Sequence, residues 1–202
     1  MRNEMRKSPR QQRSRQTVER IVDAGRMVLA EQGYDAFSTN RVAAVAGVSP
    51  GSLYQYFPDK DAILTIVIDR YWDEVAEQVA ASLNDRIGPG AIGPDVVRSI
   101  IDALFSALEG NPALLRVLTE QLPQVANRER RQALEQRIRD VLVTYLTARP
   151  ESSRRPDVNL AAWVLVMAVQ NVALRWSLDR PGFDRDRVLD EVVVLVGGYL
   201  LA

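Results

Sequence analysis

Neither cysteine nor histidine occurs among the 202 residues. That excludes disulfides, Cys/His zinc sites, thiol nucleophiles and the imidazole base that most acid–base catalysis uses. An Asp/Glu metal site or a Ser–Lys dyad survives on composition alone, but no spacing recommends either. No dinucleotide-binding G-x-G-x-x-G is read here, and no phosphate-binding G-x-x-x-x-G-K-[ST]. No catalytic residue, metal or cofactor is expected, and the chain reads as a non-enzyme. Long apolar runs are also scarce. The longest, Leu160 to Val169 ("LAAWVLVMAV"), is well short of the roughly 20 residues that span a bilayer. Met1 to Thr17 is polar and basic, without the apolar stretch of a secretion signal. A soluble, cytoplasmic protein with no membrane partner is the expectation.

What is present is charge, unevenly placed. Formal net charge is zero, yet the first twenty residues hold seven basic side chains (Arg2, Arg6, Lys7, Arg10, Arg13, Arg15, Arg20) against Glu4 and Glu19. The remainder is therefore net acidic. A basic end on a balanced chain suits a polyanion partner at that end, or is a solvated tail. Residues 1–16 read as a flexible basic arm.

Nearly every later segment carries helical periodicity. From Thr17, apolar residues fall at Val18, Ile21, Val22, Val28 and Leu29 with Ala24 and Gly25 between, the stripe of an amphipathic helix that Gly33 stops. Ser38 or Thr39 can cap a short second helix, "NRVAAVAG", ending at Gly47. "VSPGS" is a turn, "LYQYF" a further short helix, and Pro58 ends it. Asp59 and Asp61 suit the first turn of a long helix from Lys60 to about residue 84. "DRIGPGAIGP" reads as a loop. Helical stretches follow at about 95–108, 113–149 (with a break near Pro123), 157–178 and 185–201. No convincing strand alternation and no repeat is found, so the chain is all-α, with about nine helices.

Two short helices joined by a tight turn behind a longer one form a helix-turn-helix pattern. Ala43, Ala46 and Gly47 let the pair approach closely, Val48 fills between them, and Ser49 can cap the second helix, whose exposed N-terminus favours an anion and makes Ser49 a DNA-contact candidate. On a helix from Pro50, Leu53 and Phe57 share a face and point inward. Pro50, Gly51, Ser52, Tyr54, Gln55 and Tyr56 lie on the other faces. Tyrosine hydroxyls donate to phosphates, and Gln can read a base edge. The plainer alternative makes Tyr54 and Tyr56 half-buried packing residues.

The block "IVDAGRMVLAEQGYDAFSTNRVAAVAGVSPGSLYQYFPDKDAIL" resembles the DNA-binding domain of the TetR (tetracycline-repressor-like) family of bacterial transcription regulators. The resemblance covers about a quarter of the chain and rests on Gly-Tyr, Thr, Val-Ala-x-x-Ala-Gly-Val-Ser-x-Gly-x-Leu-Tyr-x-Tyr-Phe-x-x-Lys. Its one departure is Ile63, just before Leu64. It implies that Thr39 and Asn40 touch phosphate and at times a base. It implies that Pro50, Gly51, Ser52 and Gln55 face the major groove, and that Tyr54, Tyr56 and Lys60 contact phosphates. Because Pro50 and Gly51 offer bases little, sequence reading should lean on Asn40, Arg41, Ser52 and Gln55. Relatives often carry His where Tyr56 stands, so any pH-dependent charge at that place is lost.

The resemblance also implies a larger helical effector-binding and dimerisation domain over residues 65–202, behind a DNA-binding domain over 17–64. The sequence of the last two helices agrees. Leu160, Trp163, Val164, Val166, Met167, Val169, Val172 and Leu174, then Val188, Leu189, Val192, Val193, Leu195, Val196, Tyr199 and Leu200, are apolar on more than one face. Such helices are buried on more than one face, which points to a two-fold homodimer packed through them, with Gly197 and Gly198 allowing close crossing. Trp163, Met167, Gln170 and Leu174 form one stripe. With Asn171, and with Phe105, Leu118 and Tyr145 on less evidence, they line an effector pocket. The other possibility is a core stripe with satisfied amides at the dimer interface. A neutral or hydrophobic effector is expected, with Arg175 the partner for an anionic one. The expected function is a ligand-responsive repressor that releases a palindromic operator in double-stranded DNA. An effector-free structural or nucleoid DNA-binding protein is the alternative, and an enzyme with a vestigial DNA domain is disfavoured by the missing His and Cys.

Overall fold

The computed structural model describes residues 12–84, 93–122 and 124–201. Nine α-helices and no strand occur among the described residues. In order they are α1 (Gln12–Gln32), α2 (Thr39–Ala46), α3 (Pro50–Tyr54), α4 (Lys60–Asn84), α5 (Pro94–Glu109), α6 (Pro112–Arg116), α7 (Gln124–Ala148), α8 (Val158–Asp179) and α9 (Arg185–Leu201). A π-helical turn, Val117–Gln121, follows α6 directly.

Three expectations change, one of them at α3, which runs Pro50–Tyr54 rather than over "LYQYF" because Ser49 caps it and Pro50 fits the first helical position. The first helix begins at Gln12 rather than Thr17, so residues 12–16 of the expected arm are helical. Residues 1–11 lie outside the described residues, as do residues 85–92 of the expected loop and Pro123. The glycine reading also needs correcting. Gly88, Gly90 and Gly93 do match G-x-G-x-x-G, but they connect helix to helix, whereas a dinucleotide loop follows a strand.

The chain divides into two compact units, Met1–Trp72 with Ala113–Arg130, and Asp73–Pro112 with Arg131–Ala202. In the first, α1 buries the stripe Val18, Ile21, Val22, Ala24, Gly25, Val28 and Leu29. A Cβ on Gly25 would lie 3.0 Å from Ile63 and 3.4 Å from Val67, so glycine sets how closely α1 and α4 pack. Arg70 on α4 grips Glu19 on α1 with both terminal guanidinium nitrogens, at 2.6 and 2.8 Å. Asp59 caps α4 by accepting from the Ala62 N–H at 2.9 Å.

In the second unit α5 packs against both α8 and α9. Phe105, Leu108, Ala161, Ala162, Leu165, Ala173 and Leu189 on these three helices are buried. An ionic clasp ties the ends together. The Glu109 carboxylate accepts from Trp176 Nε1 (2.8 Å), Arg180 Nη1 (3.1 Å) and Arg185 Nε (2.9 Å). Arg185 also reaches Asp102 at 2.6 Å and Ser106 at 3.0 Å. Burial works against the Arg185 charge, but its hydrogen bonds to Asp102 and Glu109 outweigh that and raise its pKa. Arg98 adds a fork onto Asp186 and Asp190, both at 2.9 Å.

Over an 18-residue window α8 has a mean hydropathy of 1.4 with only 28% of it buried. Length and composition alone would let it cross a bilayer. Large apolar side chains are exposed on both terminal helices: Leu160, Trp163 and Val172 on α8, and Val194, Leu195 and Leu201 on α9. Nothing lies within 4 Å of a Cβ built on Gly197 or Gly198.

Candidate nucleic-acid interface

The helix-turn-helix is assembled from cap chemistry. Ser38 N-caps α2, accepting from the Arg41 N–H. Gly47 ends α2 with φ 63°, in the left-handed region that favours glycine. The Gly47 N–H returns to Ala44 O and the Val48 N–H to Ala43 O at 3.0 Å, a Schellman stop. The carbonyls left over at this end are taken by Arg20 of α1, whose Nη2 donates to Ala46 O at 2.7 Å and Gly47 O at 3.0 Å, with Nε on Ala46 O as well. The helix end carries partial negative charge, so a guanidinium there is favourable. Ser49 then caps α3 through the Ser52 N–H (3.1 Å), and Pro50 occupies the first helical position.

Leu53 and Phe57 are fully buried, as their four-residue spacing requires, and anchor α3 from beneath. Above them Ser49, Pro50, Gly51, Tyr54 and Gln55 are exposed, while Ser52, Tyr56 and Lys60 are half-buried. Gln55 is the C-cap of α3 and Tyr56 lies in the turn beyond it. The Tyr54 hydroxyl meets Thr39 Oγ1 at 2.9 Å, joining the C-terminal end of α3 to the N-terminus of α2. Asn40 and Arg41 are exposed beside Thr39, and Arg41 Nη1 donates to Gln32 Oε1 at 2.6 Å. Lys60 Nζ sits 4.6 Å from the centre of the Tyr34 ring. All eleven residues named for DNA thus lie on or beside the two short helices and the start of α4.

The expected effector residues are less united. Trp163 and Met167 line a groove of about 340 Å³ with Val166 and with Gln132, Glu135, Gln136 and Arg139 of α7. Gln170 is satisfied by Glu135 at 3.0 Å. Asn171 is exposed and Leu174 half-buried. Phe105 is wholly buried against Trp176 with ring centres 6.3 Å apart. Tyr145 stands instead by Ser152 and under Arg149. Leu118 is buried in the unit that holds the helix-turn-helix. Arg175 is taken by Asp179 one turn along, at 3.0 Å. Phe105 is therefore a core residue and Arg175 one half of a surface pair.

The family description "Tetracyclin repressor-like, C-terminal domain" matches residues 94–200, and "Bacterial regulatory proteins, tetR family" matches residues 21–65. The chain belongs to the TetR family. Like other TetR-family regulators it is a DNA-binding transcription regulator. Among its relatives is the fatty acid metabolism regulator protein of Bacillus subtilis, 25% identical over 182 residues, which span 87% of this chain and 91% of that one. The nucleoid occlusion factor SlmA of Haemophilus ducreyi is 27% identical over 118 residues, 58% of this chain and 55% of its own. In fold, the chain is similar to the transcriptional regulator FadR of Bacillus subtilis in complex with stearoyl-CoA. The TM-score is 0.68 at 21% identity, covering 88% and 96% of the two chains.

The roles of Arg20, Tyr34 and Gln121 were not read from the sequence. Tyr34 had a signal, the Gly-Tyr pair closing the first helix. Arg20 and Gln121 had none, because each acts on backbone groups far along the chain.

Proposed function

We propose that this TetR-family regulator is a homodimeric repressor that reads a near-palindromic operator with α2 and α3 and leaves it when an amphipathic small molecule binds the second unit. The observation that carries the DNA reading is Gly51. A Cβ there would meet nothing nearer than Ser49 Oγ at 4.0 Å, so packing within the protein does not call for glycine. Close approach of a DNA backbone does. Around it, Tyr54, Tyr56 and Lys60 serve as phosphate contacts, with Thr39 and Ser49. Gln55, Ser52, Asn40 and Arg41 offer the polar groups that can meet base edges.

Homodimer formation is supported by the apolar side chains exposed on α8 and α9, and the open space at Gly197 and Gly198 would let a second helix approach closely. For the effector, the α7–α8 groove has an apolar wall in Trp163, Val166 and Met167 and a polar one in Glu135, Gln136 and Arg139. It favours a molecule with an apolar body and a polar or anionic head over the neutral ligand first expected. The stearoyl-CoA held by FadR of Bacillus subtilis is amphipathic in this sense. The alternative of an effector-free nucleoid protein draws on the SlmA likeness, which spans about half of each chain.

Gly51→Ala tests the DNA reading. The variant should melt as the wild type does, since the space is open. Its affinity for a pool of random duplexes should fall about tenfold or more, on the scale of 1–3 kcal/mol for a well-made contact. Unchanged binding by the folded variant would refute the placement of α3 against DNA.

A further inference from the structure

Helix α1 does not end as α2 does. Its left-handed residue is Gly33, φ 77°, whose N–H returns to Leu29 O at 3.1 Å. This is the simpler glycine stop, which leaves the next N–H without a partner in its own helix. That N–H belongs to Tyr34, and it donates to Gln121 Oε1 at 3.0 Å, from 87 residues away. The Gln121 carboxamide lies directly on Gly33. A Cβ there would be 2.8 Å from Oε1, and both Cδ and Nε2 lie at 3.7 Å. Glycine is thus required twice, by the backbone angle and by the amide resting on it. Gln121 is the last residue of the π-helical turn. The Tyr34 carbonyl is occupied too, accepting from the Phe37 N–H at 3.0 Å. With its N–H and C=O both held, Tyr34 has a fixed place from which its ring meets Lys60 Nζ.

We propose that Gln121 is a positioning residue for DNA binding, holding the Tyr34 ring so that the Lys60 ammonium is confined where it meets a phosphate. The inference rests on the reading of Lys60 as a phosphate contact. A lysine side chain is long and loses rotamer freedom when it binds, so docking it beforehand lowers the entropy lost on association. A ring face attracts an ammonium without using its N–H donors, which stay available to the phosphate. All these residues belong to one compact unit, so the contact needs no ligand to form.

The test is a double-mutant cycle on the full-length protein with a random-sequence duplex of about thirty base pairs, since phosphate contacts do not depend on sequence. Dissociation constants are measured over a salt series for wild type, Gln121→Met, Lys60→Ala and the double variant. Lys60→Ala should lower the log–log salt slope by about one per subunit, so by about two for a bound dimer. Gln121→Met keeps the length of the side chain but not the acceptor. It should weaken binding about two- to fivefold, the worth of an exposed cation–ring contact, and should have no effect when Lys60 is already absent. Tyr34→Phe keeps the ring and should bind as wild type, while Tyr34→Leu should copy Gln121→Met. Equal losses from Gln121→Met in both backgrounds would reduce Gln121 to a structural residue and overturn the inference. Tighter binding by Gln121→Met would overturn it as well, because the ring would then be withholding Lys60. If Lys60→Ala leaves the slope unchanged, the phosphate reading itself fails. A normal Lys60→Ala effect without coupling removes only the role of Gln121.

Discussion

Two exposed faces of this protein are built in opposite ways. The face around α3 is polar and rests on two buried apolar side chains, Leu53 and Phe57. The face of α8 and α9 is apolar and is backed by charge, with Glu109, Asp102 and Arg185 tying α5 to the ends of both helices. The first exposes hydrogen-bonding groups that water satisfies while no DNA is present. The second exposes Leu160, Trp163, Val172, Val194, Leu195 and Leu201, which water does not satisfy. Large apolar side chains left exposed on two helices point to an interaction surface, and the ionic clasp ties the ends of those helices to α5. A short polar helix can be held by caps, whereas a long apolar one must be covered.

Breaking the apolar face should have the largest effect. Val194 and Leu195 are 67% and 50% exposed within the subunit, so Val194→Asp with Leu195→Asp should leave each subunit folded. In a dimer the two charges would be buried unpaired, at several kcal/mol. Sedimentation should show monomers, and operator affinity should fall because the two half-sites are no longer linked. A double variant that stays dimeric would place the interface elsewhere. These positions replace Val193 and Val196, which the apolar pattern alone suggests but which are half-buried within the subunit.

The clasp comes next. Glu109→Ala would leave Trp176 Nε1, Arg180 and Arg185 short of an acceptor at a site 16% exposed. It should lower stability by about 2–3 kcal/mol, read by denaturant unfolding. A loss below about 0.5 kcal/mol, the usual size for a surface change, would make the clasp incidental.

The smallest effect concerns the polar face. Arg20→Met would free the Ala46 and Gly47 carbonyls while keeping the apolar stem of the side chain. A cost of about 1–2 kcal/mol is expected in unfolding, because these groups are partly solvated. Binding to the random duplex pool should weaken with it, and Arg20→Lys should restore only part, lacking the fork. Full recovery by Lys would show that charge rather than geometry holds the turn.

How much was legible follows the range of the interactions. Ser38, Gly47, Ser49 and Pro50 act on backbone groups within a few residues, so their roles could be read off the chain, as could the inward aim of Leu53 and Phe57. The extent of α4 was legible as well, its start from Asp59 and Asp61 and its end from the Gly- and Pro-rich stretch that follows. That Phe105 packs against Trp176 was not legible, because periodicity reports that a residue is buried, not what buries it. Arg139 and Glu135 were missed as groove residues because their own helix is mostly polar, and only packing shows which of its faces meets α8.

The sequence by itself determined the all-α class, the helix-turn-helix and the two-sided apolar character of the last helices. Those follow from caps, glycine stops and periods, which are local rules. Tertiary structure alone decided that Arg20 closes the end of α2, that Gln121 rests on Gly33, and that Glu109 gathers three donors from α8, its C-cap and α9. In each case a side chain meets a group brought to it from 26 to 87 residues away. No local rule selects one Arg, Gln or Glu from the many in the chain, because the partner exists only once the helices have packed.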